Sequence, residues 1–197
     1  MRKRAFLLAG LMLAAAACTE KADGGTERPA AAAPPATVAP PATAAPRDPA
    51  DPRIMNCANR NASFPGERSG PYRAEPDDLI VEPMVISGVR GWADADPARH
   101  GVNGRYKTGV LVRAGRTATL SVPAEYRKAA GLLYGEASSD ARTPAEADHA
   151  ITFTACPDHD TAFPGYLFVP RRQRVPLLIR PEHGRATREV ISFFAGR

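Results

Sequence analysis

The chain lacks most of the sequence features that would mark an enzyme or a cofactor site. It contains no GxSxG, SxxK, HExxH or GxGxxG motif and no phosphate-binding glycine loop. It has only three cysteines, without a CxxC pair, which argues against a metal or redox site built on thiols. We also find no internal repeat. These absences favour a non-enzymatic protein without a cofactor.

Long apolar runs are scarce outside the first eighteen residues. There, the basic residues 2–4 precede an unbroken run of apolar or small residues, Ala5 to Ala17, and Cys18 follows directly. This layout is typical of a secretory signal peptide, and the run is too short to span a bilayer as a mature helix. A cysteine after small residues resembles the lipobox of a bacterial lipoprotein. The resemblance implies that Cys18 carries the lipid and anchors the protein at the outer face of the cytoplasmic membrane.

Two other interpretations of this leader stay open. The Ala-x-Ala pattern before Cys18 also suits an ordinary signal peptidase, which would release a secreted protein, and Ala15 stands where a lipobox usually has leucine. An uncleaved anchor is the other alternative, although the run is short for that. We favour lipidation, because a lone cysteine at a mature N-terminus is otherwise an unusual thiol to export.

The net charge is small once the leader is set aside. The leader holds three of the 26 basic residues, which leaves 23 basic against 21 acidic side chains and a net charge of +2. This balance does not predict a nucleic-acid binder. The partners we expect are the membrane, through the N-terminal lipid, and an envelope protein or a cell-wall polymer.

Proline and alanine dominate the next segment, residues 19–53. Between Pro29 and Pro52, eight of 24 residues are proline and ten are alanine. Such a segment buries too little apolar surface to fold, and its prolines favour extended polyproline II geometry. We predict a disordered linker that lifts a folded domain, residues 54–197, away from the lipid anchor.

If Cys18 is lipidated, Cys57 and Cys156 remain in the folded domain. Outside the cytoplasmic membrane, two cysteines in one domain most often form a disulfide. The alternative is a pair of metal-binding or redox thiols, which their wide separation disfavours.

From residue 79 onward the chain shows short apolar, often β-branched runs separated by turn residues. Thr117, Thr119 and Ser121 alternate with apolar residues over positions 116–122, as in a half-buried strand. No amphipathic helix of ten residues is evident, and Trp92–Gly104 is predicted to be a long loop. We predict an all-β, antiparallel β-sandwich, for which an immunoglobulin-like topology is one arrangement. The predicted strands are 79–81, 84–89, 106–112, 116–122, 131–135, 150–155, 165–169, 175–179 and 189–194.

Several of these strand motifs together resemble one group of proteins. They are DDLIVEPM at 77–84, YKTGVLV at 106–112, GRTATLSVP at 115–123, ITFTAC at 151–156, FPGY at 163–166 and VISFFAG at 190–196. The group comprises exported actinobacterial lipoproteins of unknown function with an all-β domain, and the resemblance covers most of residues 77–197. It implies no catalytic residue. Such proteins often have further cysteines where this chain has Arg174 and Arg197, so a second disulfide is not expected.

Three features remain as candidate sites. Residues 156–160, Cys-Pro-Asp-His-Asp, group a thiol, an imidazole and two carboxylates. We favour a polar turn with Cys156 in a disulfide and predict no metal, because three more ligands would have to come from elsewhere. The predicted loop holds Trp92, Asp94, Asp96 and His100. These side chains could stack on a ligand, bind a cation or act in acid/base chemistry, or they could form a solvated loop whose tryptophan covers one end of the sandwich.

The third feature is a basic turn formed by Arg171, Arg172 and Arg174, with Arg180 nearby. This turn could meet anionic lipid headgroups or cell-wall polyanions, because a tether holds it near the membrane. Alternatively, the charges only keep an edge loop soluble.

The sequence therefore favours a lipid-anchored, non-enzymatic interaction or structural domain of the cell envelope. A ligand- or metal-binding module that uses the Trp92–His100 loop is the alternative.

Overall fold

The structure is a computed structural model, and it describes residues 52–60, 70–96, 103–135 and 140–196. The predicted signal peptide with Cys18, and the predicted linker as far as residue 51, lie outside the described residues. The first strand in the described residues begins at Arg53. Within the described ranges, no helix is long and apolar enough to cross a membrane.

Strands dominate the described part of the chain, so the predicted all-β class is confirmed. Its helical segments are three short 3₁₀ helices, Val89–Ala93, Ala124–Tyr126 and Pro144–Glu146. The strands are β1 (Arg53–Met55), β2 (Leu79–Val81), β3 (Met84–Ile86), β4 (Arg105–Lys107), β5 (Val110–Val112), β6 (Thr117–Ser121), β7 (Gly131–Tyr134), β8 (Ala150–Thr154), β9 (Thr161–Phe163), β10 (Gly165–Phe168), β11 (Gln173–Pro181) and β12 (Thr187–Phe193).

The larger layer is a five-stranded sheet with the order β1-β8-β6-β11-β12. Strand β6 illustrates how the two faces of this sheet differ. The predicted alternation buries Ala118 and Leu120 and leaves Thr119 on the outer face. There the hydroxyls of Thr119 and Thr152 lie 2.8 Å apart on adjacent strands. The described strand pairs are antiparallel, as predicted, except that β1 runs parallel to β8.

The second layer is divided into a three-stranded sheet, β4-β10-β7, and a four-stranded sheet, β2-β3-β5-β9. The chain passes between them at Thr108–Gly109 and again at Pro164. The two crossings lie side by side, because the Thr108 N–H donates to the Gly165 carbonyl at 2.9 Å. The prediction of one strand over 106–112 is therefore wrong: its two halves belong to different sheets.

Three aromatic rings join the three sheets in the core. The Phe153 ring on β8 lies 5.2 Å from Tyr134 on β7 and 5.1 Å from Phe163 on β9, measured between ring centroids. All three side chains are fully buried. Burying a side chain of this size stabilises the folded state by about 1.5–3 kcal/mol, so this contact contributes strongly to holding the layers together.

Other strand boundaries differ from the prediction for local reasons. The strand predicted over 84–89 ends at Ile86, because Gly88 adopts φ 62° and turns the chain into the Val89–Ala93 helix. The predicted loop at 92–104 therefore begins inside a helix. Strand β11 is longer than predicted and includes Arg174. The three-residue strand β9 was not predicted.

The predicted disulfide between Cys57 and Cys156 is confirmed, with a Cα–Cα distance of 5.1 Å and a sequence separation of 99. Cys57 follows β1 and Cys156 follows β8, so the bond fastens the two parallel strands at their C-terminal ends. Cys156 is buried, whereas Cys57 is exposed.

We predict that Gly165→Ala destabilises the domain by about 1–3 kcal/mol, the usual cost of overpacking a core. Gly165 pairs with Tyr134 across β10 and β7, and an added Cβ would overlap the buried Tyr134 ring. The matched control is Gly109→Ala, whose Cβ would meet nothing closer than the Ser87 hydroxyl at 3.8 Å. Urea unfolding measures both variants, and equal midpoints for the two would contradict the prediction.

Candidate functional site

The Trp92 side chain packs within the domain. Its ring centroid lies 5.1 Å from that of Tyr106 and 6.1 Å from that of Phe194. The Phe194 N–H also donates to the Trp92 carbonyl at 2.9 Å, which ties the helix to the end of β12. This geometry matches a tryptophan that covers one end of the sandwich, and it gives no support to a ligand-stacking platform.

The structure describes only some of the other members of the predicted loop site. Asp94 and Asp96 are both exposed beyond the end of the Val89–Ala93 helix, and His100 lies outside the described residues. In the described ranges, no group of three or more His, Cys, Asp or Glu side chains is placed to hold a metal ion. Cation binding by this loop stays a prediction.

The predicted basic turn is exposed and precedes the long strand β11. Arg171 and Arg172 lie in the turn, and Arg174 is the second residue of the strand, opposite Ser192 of β12. Because side chains alternate along a strand, Arg174 and Arg180 project from the same face of β11.

A groove at the edge of the five-stranded sheet includes one residue of the predicted basic turn. We call it the edge groove, with a volume of about 340 Å³. Arg174 of the basic turn contributes to it, and so does Ala93, the neighbour of Trp92. Its lining includes Arg90, Ala93, Arg174, Glu189, Val190 and Ser192.

The edge groove combines positive charge with an exposed apolar side chain. A guanidinium nitrogen of Arg90 lies 3.9 Å from a carboxylate oxygen of Glu189, a solvent-exposed pair that stabilises little. Arg174 is the second cation of the lining, and Val190 on the edge strand is 57% exposed. Such a lining can contact an anionic group and an apolar group of the same partner. Arg90 and Glu189 were not predicted, because only the packing of the helix against β12 makes them neighbours.

Strand directions place this site at a defined end of the sheet. Strand β1 is parallel to β8, and β6 is antiparallel to both β8 and β11. Strands β1, β8 and β11 therefore run in the same direction. The chain enters the sheet just before Arg53 of β1, and the basic turn lies just before Gln173 of β11. The chain therefore approaches β1 from the side on which β11 begins, and the register aligns Arg53 with Ile179, six residues along β11 from Gln173.

The segment 156–160 has a structural role in the described contacts. Cys156 is bonded to Cys57, so its thiol is not available to a metal. Nδ1 of His159 lies 2.7 Å from a carboxylate oxygen of Asp158. Asp160 accepts hydrogen bonds from the Arg113 guanidinium at 2.9 Å and from the N–H of Ala114 at 3.0 Å.

Asp160 also accepts a hydrogen bond from the Tyr72 N–H at 3.1 Å, so one carboxylate joins three chain segments. Burial by itself would raise the pKa of Asp160. The hydrogen bonds from Arg113, Tyr72 and Ala114 outweigh burial and hold that pKa below its usual range. This network was not predicted, because its members are far apart in sequence.

No family model, curated protein or solved structure matches the chain. The resemblance to exported actinobacterial lipoproteins therefore stays a prediction. No arrangement among the described side chains points to a catalytic activity. The disulfide is compatible with a location outside the cytoplasm.

We predict that Asp160→Asn destabilises the domain by about 1–3 kcal/mol at neutral pH, because it removes the negative partner of a partly buried charge pair. The folded-state pKa of Asp160 is depressed, so its stabilising effect is present above the ordinary value of 3.8 and is lost as pH falls through the folded value. Urea unfolding at pH 7 and below pH 3.8 should therefore show a difference between variant and wild type that shrinks with acid.

Glu125→Gln is the control for this experiment. Its carboxylate lies 3.7 Å from the Arg188 guanidinium, and both side chains are more than half exposed. Removing such a surface pair changes stability by less than about 1 kcal/mol. A pH-independent loss in Asp160→Asn would contradict the electrostatic interpretation.

Proposed function

We propose that this chain is an exported, lipid-anchored and non-enzymatic binding domain of the cell envelope. The observation that carries the proposal is that Arg171, Arg172 and Arg174 are all exposed at the end of the sheet where β11 begins. Residues before Arg53 approach β1 from this side, so a domain suspended by them can turn the three arginines toward the membrane. The arginines of the turn then face an anionic surface.

The proposed location outside the cytoplasm is supported by the N-terminal sequence and by the disulfide. The cationic start, the apolar run and Cys18 have the order of a lipoprotein leader. The Cys57–Cys156 disulfide is of the kind that persists in oxidising compartments. Secretion without a lipid is the alternative that the leader leaves open.

The binding surface is supported by the charges at the membrane-facing end. Near an anionic surface, each basic side chain is attracted by about 1 kcal/mol. Arg171, Arg172 and Arg174 are all exposed there, and Val190 offers apolar contact beside them in the edge groove. We propose an anionic envelope surface as the partner.

The alternative function, a ligand- or metal-binding module using residues 92–100, has less support. The Trp92 ring packs against Tyr106 and Phe194, and the exposed Asp94 and Asp96 have no third metal ligand placed beside them among the described residues. We therefore do not adopt it.

We predict that Cys18→Ala moves the protein from the membrane fraction to a soluble fraction, because the lipid supplies most of the membrane affinity. Cell fractionation measures the shift. Intact mass of the membrane-extracted wild type should show a diacylglyceryl-modified N-terminal cysteine and one reducible disulfide. An unlipidated mature chain would contradict the anchor and favour a secreted protein.

The binding surface is tested on vesicles with a secreted form that begins at Thr19 and therefore has no lipid. Replacing Arg171, Arg172 and Arg174 by serine should weaken its binding to phosphatidylglycerol-containing vesicles by up to about a hundredfold at low salt. The effect should shrink at high salt, because exposed charges are screened. Co-sedimentation measures both.

The matched control replaces three other exposed arginines, Arg73, Arg116 and Arg185, and so changes the net charge equally. Arg116 precedes β6 and Arg185 lies between β11 and β12, both at the opposite end of the sheet. An equal loss in both triple variants would mean that net charge, not the basic turn, attracts the protein. Unchanged binding in the first variant would rule out the surface.

A further inference from the structure

A second groove lies on the outer face of the five-stranded sheet. We call it the sheet-face groove; its volume is about 410 Å³, and its lining includes Thr119, Ser121, Arg127, His149, Leu178 and Arg180. It shares no lining residue with the edge groove. Because its members come from distant parts of the chain, no local sequence pattern pointed to it.

Strand register explains the floor of this groove. Arg180 of β11 pairs with Thr119 of β6, and Leu178 pairs with Ser121 two residues away. These positions belong to the outward set of each strand, because Ile179 and Leu120 between them are buried. The floor therefore combines one cation, two hydroxyls and one apolar side chain.

Arg127 lies at the side of the groove, in the segment that follows β6 and the Ala124–Tyr126 helix. His149 holds this segment in place. Nε2 of His149 lies 3.0 Å from the Arg127 carbonyl and 2.9 Å from the Pro144 carbonyl. A carbonyl oxygen only accepts, so Nε2 carries the hydrogen and donates to both. The imidazole thus acts as a positioning group that clamps the backbone of Arg127 beside the groove.

The charges of the lining are all of one sign. Arg127 and Arg180 line the groove, and no carboxylate among the described residues does. Other arginines of the domain are ion-paired, for example Arg53 with Asp148 at 2.8 Å and Arg113 with Asp160 at 2.9 Å. By contrast, neither groove arginine forms an ion pair with a described carboxylate. The groove is therefore a local concentration of unneutralised positive charge.

Two hydrogen-bond donors of the lining have no partner among the described residues. Nε of Arg127 is buried and has no hydrogen-bond acceptor in the described ranges. The hydroxyl of Ser121 likewise makes no hydrogen bond to another described side chain or backbone group. A buried donor without an acceptor costs about 1–3 kcal/mol, and an external acceptor would remove that cost.

We propose that the sheet-face groove binds a phosphate or phosphodiester group. Two guanidinium groups offer only donors, and a hydroxyl adds one more donor. A phosphate offers several acceptor oxygens in the geometry that guanidinium matches in a bidentate way. Apolar neighbours such as Leu178 and Pro123 exclude water from one side and strengthen the attraction. The group is carried either by a lipid headgroup or by a soluble molecule or polymer.

The test is an NMR titration of the full mature chain in neutral detergent with inorganic phosphate, at constant ionic strength. We expect saturable shifts centred on the amides of Thr119, Ser121 and Leu178. Arg180→Gln changes an exposed side chain and should weaken binding about tenfold. Arg127→Gln/Arg180→Gln should abolish saturation, with unfolding midpoints showing that each variant folds.

Arg73→Gln/Arg116→Gln is the matched control, because it removes the same charge from exposed positions that line neither groove. Retained phosphate affinity in this control supports a site in the groove, whereas equal weakening in both double variants, or no saturable shift with any probe, overturns it. Repeating the titration with a soluble glycerophosphodiester and with phosphatidylglycerol vesicles identifies the source. Binding to the soluble diester indicates a free or polymeric phosphate, and binding to vesicles alone indicates a headgroup. These outcomes are independent of the vesicle test on Arg171, Arg172 and Arg174.

Discussion

The disulfide between Cys57 and Cys156 is the constraint on which the arrangement of this domain depends. Strand β1 has three residues, lies at the edge of its sheet and buries one side chain, Met55. So short a strand, with the Arg53–Asp148 ion pair as its main side-chain contact, would fray without a covalent bond. Chain-entropy estimates give about 4–5 kcal/mol for closing such a loop, as an upper figure. The bond therefore fastens β1, where the chain enters the sheet, to the end of β8.

Patterns confined to one strand were readable from sequence. The alternation around Thr119 predicted β6 and its two faces, because side chains of a strand alternate between core and solvent. The pairing of Cys57 with Cys156 was predicted from the expected location outside the cytoplasmic membrane and from the cysteine count. The break between β4 and β5 at Thr108–Gly109 could not be predicted from the sequence. An apolar run has the same pattern whether it forms one strand or crosses from one sheet to another.

Among the candidate sites, too, only those formed by residues close together in the sequence could be predicted. Arg174 was found because it belongs to a local cluster of arginines, whereas Arg90 and Glu189 of the edge groove needed the packing of a helix against β12. The sheet-face groove was missed entirely, since Arg127 and Arg180 are neighbours only through the register of β6 with β11. The chain has many arginines, so their number carries little information. What distinguishes the functional candidates is which guanidinium groups the fold leaves without a carboxylate.

The shared direction of β1, β8 and β11 has a mechanical consequence. In the proposed tethered form, a pull on the N-terminal segment loads Arg53–Met55 first, and this strand can peel only as far as Cys57, where the disulfide passes the load to the end of β8 inside the sheet. If a partner holds the domain at the basic turn, the disulfide and the turn lie at opposite ends of the sheet, because Cys156 follows β8 whereas the turn precedes the parallel strand β11. Tension between membrane and partner then runs along the hydrogen-bonded strands β8, β6 and β11, so the five-stranded sheet carries the load.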